Sequence, residues 1–247
     1  MIHVDSPEPL SSFCRHATLF FEKADGVCTM SFFSNRVCID IESHCHTVCA
    51  RFECSCSHGP EDEMTAYVEA TSLAYVFGFY KAGGSIELKI ENGTLVTLFQ
   101  EALSMTSWCI PLHMDEQRHL DHRFSSACIA SFPLQIHTLS SAISNSDRIQ
   151  LVCTAPGGCV TFKVPKNHNY NPGGVGSCIV AARSIVGDPF CVVCKWKFLS
   201  KACTLFHKKC EPTCSIDATQ TMIVLRATIQ DKWKCVVSIT TLDKDEF

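Results

Sequence analysis

Apolar residues in the first half of the chain follow two spacings, one of alternate positions and one typical of helices. Leu10, Phe13 and Ala17 recur at helical spacing behind Ser6 and Pro7, which are a typical N-cap and first helical residue. The first half is predicted to contain a helix from Pro7 to about Ala24, a second helix over Ser72–Ala82 ended by Gly83-Gly84, and the strands Met1–Val4, Val27–Phe33, Arg36–Ile41, Thr47–Cys54, Thr65–Val68, Ile86–Ile90, Thr94–Phe99 and Trp108–Leu112.

The second half shows the same order of spacings. Its predicted elements are a strand over Ala127–Phe132, a helix that Pro133 starts and that runs to about Ser144, strands over Arg148–Thr154, Cys159–Val164, Ser177–Arg183 and Phe190–Cys194, a helix over Phe198–His207, and closing strands over Cys214–Ala218, Met222–Ile229 and Lys234–Ile239. Each half thus has the order strand, helix, several strands, helix, several strands. Such self-similarity indicates a modular architecture.

A polar segment, His113–Arg123, separates the two halves. Apolar residues recur in it with neither a period of 2 nor one of 3.6, which predicts a solvated tether. We therefore expect an N-terminal half of residues 1–112, a connecting tether of residues 113–124 and a C-terminal half of residues 125–247. Helices that lie together on one face of antiparallel sheets make the fold class α+β.

Composition excludes some classes of protein and leaves others open. A hydrophobic fraction of 46% with 19% charged residues predicts a packed globular protein rather than a disordered one. The net charge of −4 does not by itself indicate a nucleic-acid partner, so DNA contact would need a local concentration of Lys and Arg. The amino terminus lacks a signal-peptide pattern and no apolar run is long enough to span a membrane, which predicts a cytosolic or nuclear protein without a membrane partner.

No catalytic motif is found in the sequence. It lacks a phosphate-binding glycine loop with its lysine, a GxSxG turn and an HExxH helix, so we expect no enzyme activity and no cofactor.

The 18 cysteines keep zinc binding open as an alternative, because reducing compartments disfavour disulfides. The candidate ligands are His44, Cys45, His46, Cys49, Cys54, Cys56 and His58, together with the CxxC of Cys191 and Cys194. Their spacing is irregular for a zinc site, and cysteine also packs as a small hydrophobic residue, so we expect no metal.

Five segments carry a resemblance to a known family, through their order and spacing. They are CTMSFFSNRVCIDIESHCHTVCARF, YKAGGSIELKIENGTLVTL, IPLHMDEQRHL, DRIQLVCTAPGGCVTFKV and MIVLRATIQDKWKCVVSI. In this order the chain resembles the DNA sliding-clamp family, the processivity factors like proliferating cell nuclear antigen. It is also similar to checkpoint clamp subunits and to herpesviral processivity factors.

The resemblance implies both a fold and a function. The expected DNA-clamp fold has two similar halves, each with antiparallel sheets outside and two helices on the inner face. The implied protein is a non-catalytic nuclear factor for DNA replication and repair, a homotrimer or heteromeric ring around double-stranded DNA. It would bind DNA without sequence specificity and hold a DNA polymerase and other clamp-binding peptides. The alternatives are a subunit of a heteromeric DNA-damage checkpoint clamp and, in another class, a Cys/His-rich zinc-binding regulatory protein.

The same resemblance assigns candidate contact residues. Cations at the positions expected to face DNA are Arg15, Lys23, Lys81, Lys195, Lys197, Lys201, Lys208 and Lys209. The candidate groove for partner peptides consists of Ile41, His46, Val48, Leu120 and Ile239. Ile41, Val48 and Ile239 are equally well explained as core residues of strands, and a run of lysines on a helix is usually a solvated face.

Overall fold

The computed structural model describes residues 1–20, 26–43, 47–113, 124, 127–134, 147–154, 160–163, 177–180, 186–206, 212–229 and 232–242. The chain divides into two compact units. The first consists of Met1–Leu120 with Thr228–Val236, and the second of Asp121–Ala227 with Val237–Phe247.

The first unit is an antiparallel sheet with two packed helices. Its elements are β1 (Ile2–Val4), α1 (Pro7–Arg15), a 3-10 turn (Ala17–Phe20), β2 (Val27–Phe32), β3 (Arg36–Glu42), β4 (Val48–Ser57), β5 (Met64–Glu69), α2 (Ala70–Gly78), β6 (Ser85–Glu91), β7 (Thr94–Gln100) and β8 (Met105–His113). The strands follow the order β1-β6-β7-β8-β5-β2-β3-β4. Strand β1 pairs with β6 on one side and β4 on the other, so the sheet closes on itself.

The core of this unit follows from the alternation of its strands. Inward positions of β2 and β4 carry large aromatic residues, and the ring of Phe52 stacks on that of Phe13 from α1 at 5.1 Å between centroids. Phe13, Phe32 and Phe77 have no exposed surface. Burying side chains of this size accounts for roughly 2–3 kcal/mol each of hydrophobic stabilisation.

Helix α2 lies earlier in the chain than the spacing predicts, over Ala70–Gly78 rather than 72–82. The hydroxyl groups of Thr71 and Ser72 donate to the carboxylate of Glu69, which fixes the helix start at the end of β5. A carboxylate here also interacts favourably with the positive end of the helix dipole. The helix ends before Gly83, which instead takes a positive φ of 89° in the following turn.

Strands β6 and β7 form a hairpin that turns at Asn92 and Gly93. Asn92 and Gly93 both have positive φ, 52° and 70°, and Glu91 faces Thr94 across the turn. Asn-Gly suits such a turn because both residues tolerate left-handed backbone conformations.

The second unit contains two sheets and one described helix. Its elements are β9 (Cys128–Pro133), β10 (Arg148–Cys153), β11 (Val160–Lys163), β12 (Ser177–Val180), β13 (Val186–Gly187), β14 (Phe190–Lys195), α3 (Trp196–Thr204), β15 (Thr213–Asp217), β16 (Met222–Ile229) and β17 (Trp233–Thr240). One sheet has the strand order β17-β16-β15-β9-β13, in which β16 and β17 form a hairpin, and the other has the order β12-β11-β10-β14. The pairings are antiparallel.

The loop end of the β16–β17 hairpin belongs to the first unit, whereas the predicted division placed it in the C-terminal half. The ring of Trp233 stacks on Phe52 with centroids 5.9 Å apart. The backbone N–H of Ser55 donates to the carbonyl of Lys232 at 2.9 Å. The division therefore does not follow chain order at residues 228–236.

Two predicted elements lie largely outside the described residues. The tether is described only at His113 and Phe124, and the helix expected after Pro133 only at its first two residues. Pro133 itself is the last residue of β9, opposite Thr213, so it ends a strand. Proline is tolerated at a strand end, where its missing N–H removes few ladder bonds. None of the described helices combines the length and the apolar composition that crossing a bilayer requires.

Candidate interaction surfaces

Strand β8 has one edge that is open over most of its length. The N–H of Leu112 donates to the carbonyl of Gly93, toward β7. Because antiparallel ladders alternate, the N–H groups of Ser107 and Cys109 point away from β7. On that side β5 pairs only with Leu112 and His113, and Pro111 has no N–H. The described strands therefore leave Met105–Cys109 with one unoccupied edge.

Aromatic side chains from α2, from the residue that follows α2 and from β8 gather beside this edge. The ring of Phe79 stacks on Trp108 at 4.4 Å between centroids, and Tyr75 meets Phe79 edge to face at 5.0 Å. Tyr75 is 63% exposed and Phe79 44%, and the nearby Met105 is 69% exposed. Tyr75, Phe79 and Trp108 with the open backbone of Met105–Cys109 are called the aromatic edge.

Trp108 also carries a buried polar atom that lacks a partner. Its indole Nε1 has no hydrogen-bond acceptor among the described residues. Such an orphan donor costs about 1–3 kcal/mol.

A second open edge lies in the other unit. Strand β12 is the last strand of its sheet and pairs only with β11 among the described strands, with Ser177 opposite Lys163 and Val180 opposite Val160. Its outer edge therefore offers backbone groups to an incoming strand.

Helix α3 separates polar from apolar side chains as its sequence predicts. Phe198, Leu199, Ala202 and Cys203 are buried. Lys197 is exposed and Lys201, one turn later, is half-buried. Residues four apart share a helix face, so these two lysines form one cationic stripe.

Lys195 does not belong to that stripe. It is the last residue of β14 and the N-cap position of α3, and its side chain is exposed. Its Nζ lies 5.9 Å from the centroid of the Phe198 ring.

The two candidate cations of the first unit that the structure describes, Arg15 and Lys81, both have partners within the chain. The guanidinium of Arg15 donates to the carbonyls of Phe77 and Tyr80, where α2 ends, with 2.8 Å from Nε to the Phe77 oxygen. Lys81 lies after α2 and pairs with Glu101 at 3.3 Å. Arg15 thus stabilises the carboxyl end of α2, where cations are favourable.

The three apolar members of the predicted peptide groove that the structure describes are buried rather than open to a peptide. Ile41 and Val48 are 0% and 1% exposed in the first unit, and Ile239 is 0% exposed in the second. The alternation of a strand indicates which residues share a face, but not whether another layer covers that face. A client peptide could not touch these three side chains without local rearrangement.

Five of the candidate contact residues lie outside the described part of the chain. They are Lys23, His46, Leu120, Lys208 and Lys209. His44 and Cys45 of the candidate zinc cluster lie outside it as well.

Most described cysteines are core residues. Burial raises the pKa of Cys28, Cys194 and Cys203 to about 12, and that of Cys14 and Cys214 well above the ordinary value. The described residues contain no cluster of three or more His, Cys, Asp or Glu that could hold a metal ion. These thiols pack as small hydrophobic groups.

Sequence reasoning missed one surface. The aromatic edge was missed because Tyr75 and Phe79 look like core residues, although their i, i+4 spacing already placed them on one helix face.

Comparison with known proteins decides the fold. No protein-family model matches the sequence, and no curated protein matches it. Among solved structures, the chain is similar to one from a PCNA2–PCNA3 complex of Sulfolobus tokodaii, with a TM-score of 0.77 at 12% identity over 98% of this chain and 99% of that one. This chain has the sliding-clamp fold. The fold implied by the sequence resemblance is confirmed at this level.

Proposed function

We propose that this protein is a sliding clamp, a non-catalytic subunit of a ring that encircles duplex DNA and tethers DNA polymerase and other replication and repair proteins in the nucleus. In this proposal each subunit consists of two similar halves with sheets outside and two helices on the inner face. The ring holds DNA by topology, so it needs neither base contacts nor high affinity.

The observation that carries the proposal is the pair of open strand edges in one chain. The aromatic edge is in the first unit and β12 is in the second. The aromatic edge of one copy can therefore pair with β12 of the next copy. Such a heterologous contact, repeated from copy to copy, can close into a ring. Left uncovered, these edges and exposed rings would favour aggregation.

The aromatic edge has the properties of an interface rather than of a solvated surface. Its side chains carry no charge, and aromatic residues are enriched at interface cores. Carbonyl groups of an added strand would accept hydrogen bonds from the outward N–H groups of Ser107 and Cys109. Side chains of that strand's subunit would then cover Tyr75 and Phe79.

The described cations best suited to DNA are Lys197 and Lys201. Both lie on the polar face of α3, and the side chain of Lys197 is exposed. Contacts from two lysines per subunit are weak and not base-specific, as sliding requires. The proposal includes Lys208 and Lys209, which follow α3 in the sequence, as further DNA contacts.

The choice between a homomeric and a heteromeric ring follows from which edges meet. The similar solved structure is described as a complex of two PCNA chains. Because this chain carries both edges itself, we favour a ring of identical subunits. A checkpoint clamp would instead need a different chain on one of the two edges.

Encirclement is tested by comparing how long the protein stays on circular and on linear DNA. The protein is diluted until it dissociates, mixed with nicked circular plasmid, concentrated so that rings close, and washed in high salt. We expect it to stay on circular plasmid and to leave when a restriction enzyme cuts the plasmid once. Equal retention on circular and linear DNA would contradict encirclement.

A further inference from the structure

Two buried polar atoms of the first unit have no hydrogen-bond partner among the residues that the structure describes. They are the hydroxyl oxygen of Thr97 and the indole Nε1 of Trp108. Thr97 has no exposed surface, so bulk solvent does not reach its hydroxyl group. Because folded proteins satisfy nearly all of their buried polar side chains, two such atoms indicate a bound partner.

Strand pairing places these two groups on neighbouring side chains. Thr97 of β7 lies directly opposite Trp108 of β8. The N–H of Leu112 donates to the carbonyl of Gly93 at 3.0 Å, and this bond fixes the alternation of the ladder. Thr97 and Trp108 are consequently a hydrogen-bonded pair, with Cα atoms about 5.5 Å apart. Side chains of directly opposite residues share a face of the sheet, so the hydroxyl group and the indole ring are neighbours.

Helix α2 packs on the face that carries both side chains. Phe99, two residues along β7 from Thr97, meets Phe77 of α2 edge to face with 5.7 Å between centroids. On the other strand, the ring of Trp108 stacks on Phe79, which follows α2. Both polar groups therefore lie on the helix-covered face of the sheet.

The chemistry of the two groups defines what can join them. An indole N–H only donates, whereas a threonine hydroxyl group donates and accepts. A direct bond would require the indole to turn, but its stack on Phe79 and its edge contact with Tyr75 at 5.9 Å hold the ring. The residues beside Thr97 on this face include Leu88, opposite it on β6, and Phe99, which are buried and carry no polar group.

We infer that one buried water molecule bridges the indole N–H of Trp108 and the hydroxyl group of Thr97. The water accepts from the indole and hydrogen-bonds the hydroxyl group, so both polar atoms are satisfied. A water is small enough to bind between cross-strand neighbours, and buried waters make two to four such bonds. A bridging water is nearly as favourable in enthalpy as a direct hydrogen bond.

The bridge gives Thr97 a positioning role for the aromatic edge. Through the water, its hydroxyl group fixes the plane of the indole ring on which Phe79 stacks, beside the open edge of β8. This role rests on the proposed subunit contact, whereas the water site itself does not.

A crystal structure of the whole chain, at a resolution that shows ordered water, tests the site. We expect a water oxygen about 2.7–3.2 Å from both Nε1 of Trp108 and Oγ1 of Thr97. Thr97→Val, which has the same shape but no hydroxyl group, should lose this water, and Thr97→Ser should keep it. A direct bond between the two atoms, a site without water in the wild type, or a water that stays in Thr97→Val would overturn the inference.

The positioning role is tested by the protein concentration at which the assembly dissociates. Thr97→Val should raise the midpoint about threefold to tenfold, as expected for loss of one hydrogen bond, whereas Thr97→Ser should restore the wild-type midpoint. The matched control is Thr94→Val, which removes a half-buried hydroxyl group from the other face of β7 and should not change the midpoint. Equal midpoints for Thr97→Val and Thr94→Val would exclude the positioning role. A wild type that never assembles would contradict the proposed function, and the crystal structure would still decide the water site.

Discussion

Phe79 and Trp108 stack at 4.4 Å with an angle of 19° between their rings, yet Phe79 remains 44% exposed. One ring follows α2 and the other lies on β8, so the pair joins a helix to a strand whose outer edge is open. Aromatic pairs of this geometry contribute about 1 kcal/mol beyond the area they bury. The stack therefore rigidifies the surface that we propose receives the next subunit.

The paired residues Asp40 and Arg51 should dominate the polar contribution to stability in the first unit. Nε and Nη2 of Arg51 each donate to a carboxylate oxygen of Asp40 at 2.7 Å, and Asp40 is 9% exposed. Asp40→Asn should lower the free energy of unfolding by about 3 kcal/mol, because it leaves a largely buried guanidinium without its counter-charge. Urea denaturation measures the change.

The control for this prediction is the solvent-exposed pair of Lys89 and Glu91. Lys89→Gln should change the free energy of unfolding by less than about 0.5 kcal/mol, because water screens exposed pairs. Equal effects of the two substitutions would show that Asp40 and Arg51 are as well solvated as the exposed pair.

Glu69 should make the stability of α2 depend on pH. Hydrogen bonds from Thr71 and then Ser72 lower the pKa of its carboxyl group. A carboxyl whose pKa falls on folding stabilises the protein above its unfolded pKa, near 4.3, and loses that contribution as pH falls through the folded value. The difference in stability between wild type and Glu69→Gln should thus be largest near neutral pH and shrink in acid. A constant difference from neutral pH into acid would contradict the assignment.

Cysteine alkylation should report subunit contact. Cys109 and Cys128 are exposed, whereas Cys14, Cys28 and Cys194 are buried thiols with raised pKa. In dilute protein, iodoacetamide should modify Cys109 and Cys128 first, because the thiolate of an accessible cysteine is the reactive form. At concentrations where subunits assemble, the modification of Cys109, which lies on the open edge, should become slower. The rate of modification of Cys128 should not change. Mass spectrometry of peptides distinguishes the two, and equal rates for Cys109 at both concentrations would argue against an occupied edge.

The stripe on α3 predicts a defined salt effect on duplex binding. Lys197→Ala with Lys201→Ala should lower the logarithmic salt slope by up to about 1.8 per subunit, at about 0.9 for each lost phosphate contact. The fold should remain, since surface charges contribute little to stability. Fluorescence anisotropy with a labelled duplex gives the slope. A slope equal to that of the wild type would make the stripe an ordinary solvated face.

Local patterns of the sequence were sufficient for much of the fold. Alternation located most strands, Asn92-Gly93 specified its turn, and the apolar residues of α3 defined the buried side of that helix. These features depend on neighbours within a few residues. They are therefore visible without tertiary structure.

The features that the sequence did not reveal depend on distant parts of the chain. The start of α2 is fixed by side-chain hydrogen bonds to Glu69, and Ile41 and Val48 are almost completely buried. Tyr75 and Phe79 are apolar yet exposed, which periodicity alone cannot distinguish from burial.

The mass of the native assembly tests most directly whether the aromatic edge closes a ring. Native mass spectrometry of the wild type should give a closed assembly at an integer multiple of 27.3 kDa, three times for the homotrimer that the sequence resemblance implies. Tyr75→Glu with Phe79→Glu should reduce it to 27.3 kDa, because charges cannot be buried in the contact without partners. Val186→Glu with Ile229→Glu, at 70% and 42% exposed positions elsewhere, should keep the wild-type mass. A wild-type protein that stays at 27.3 kDa at all concentrations, or a Tyr75/Phe79 variant that keeps the full mass, would contradict the account.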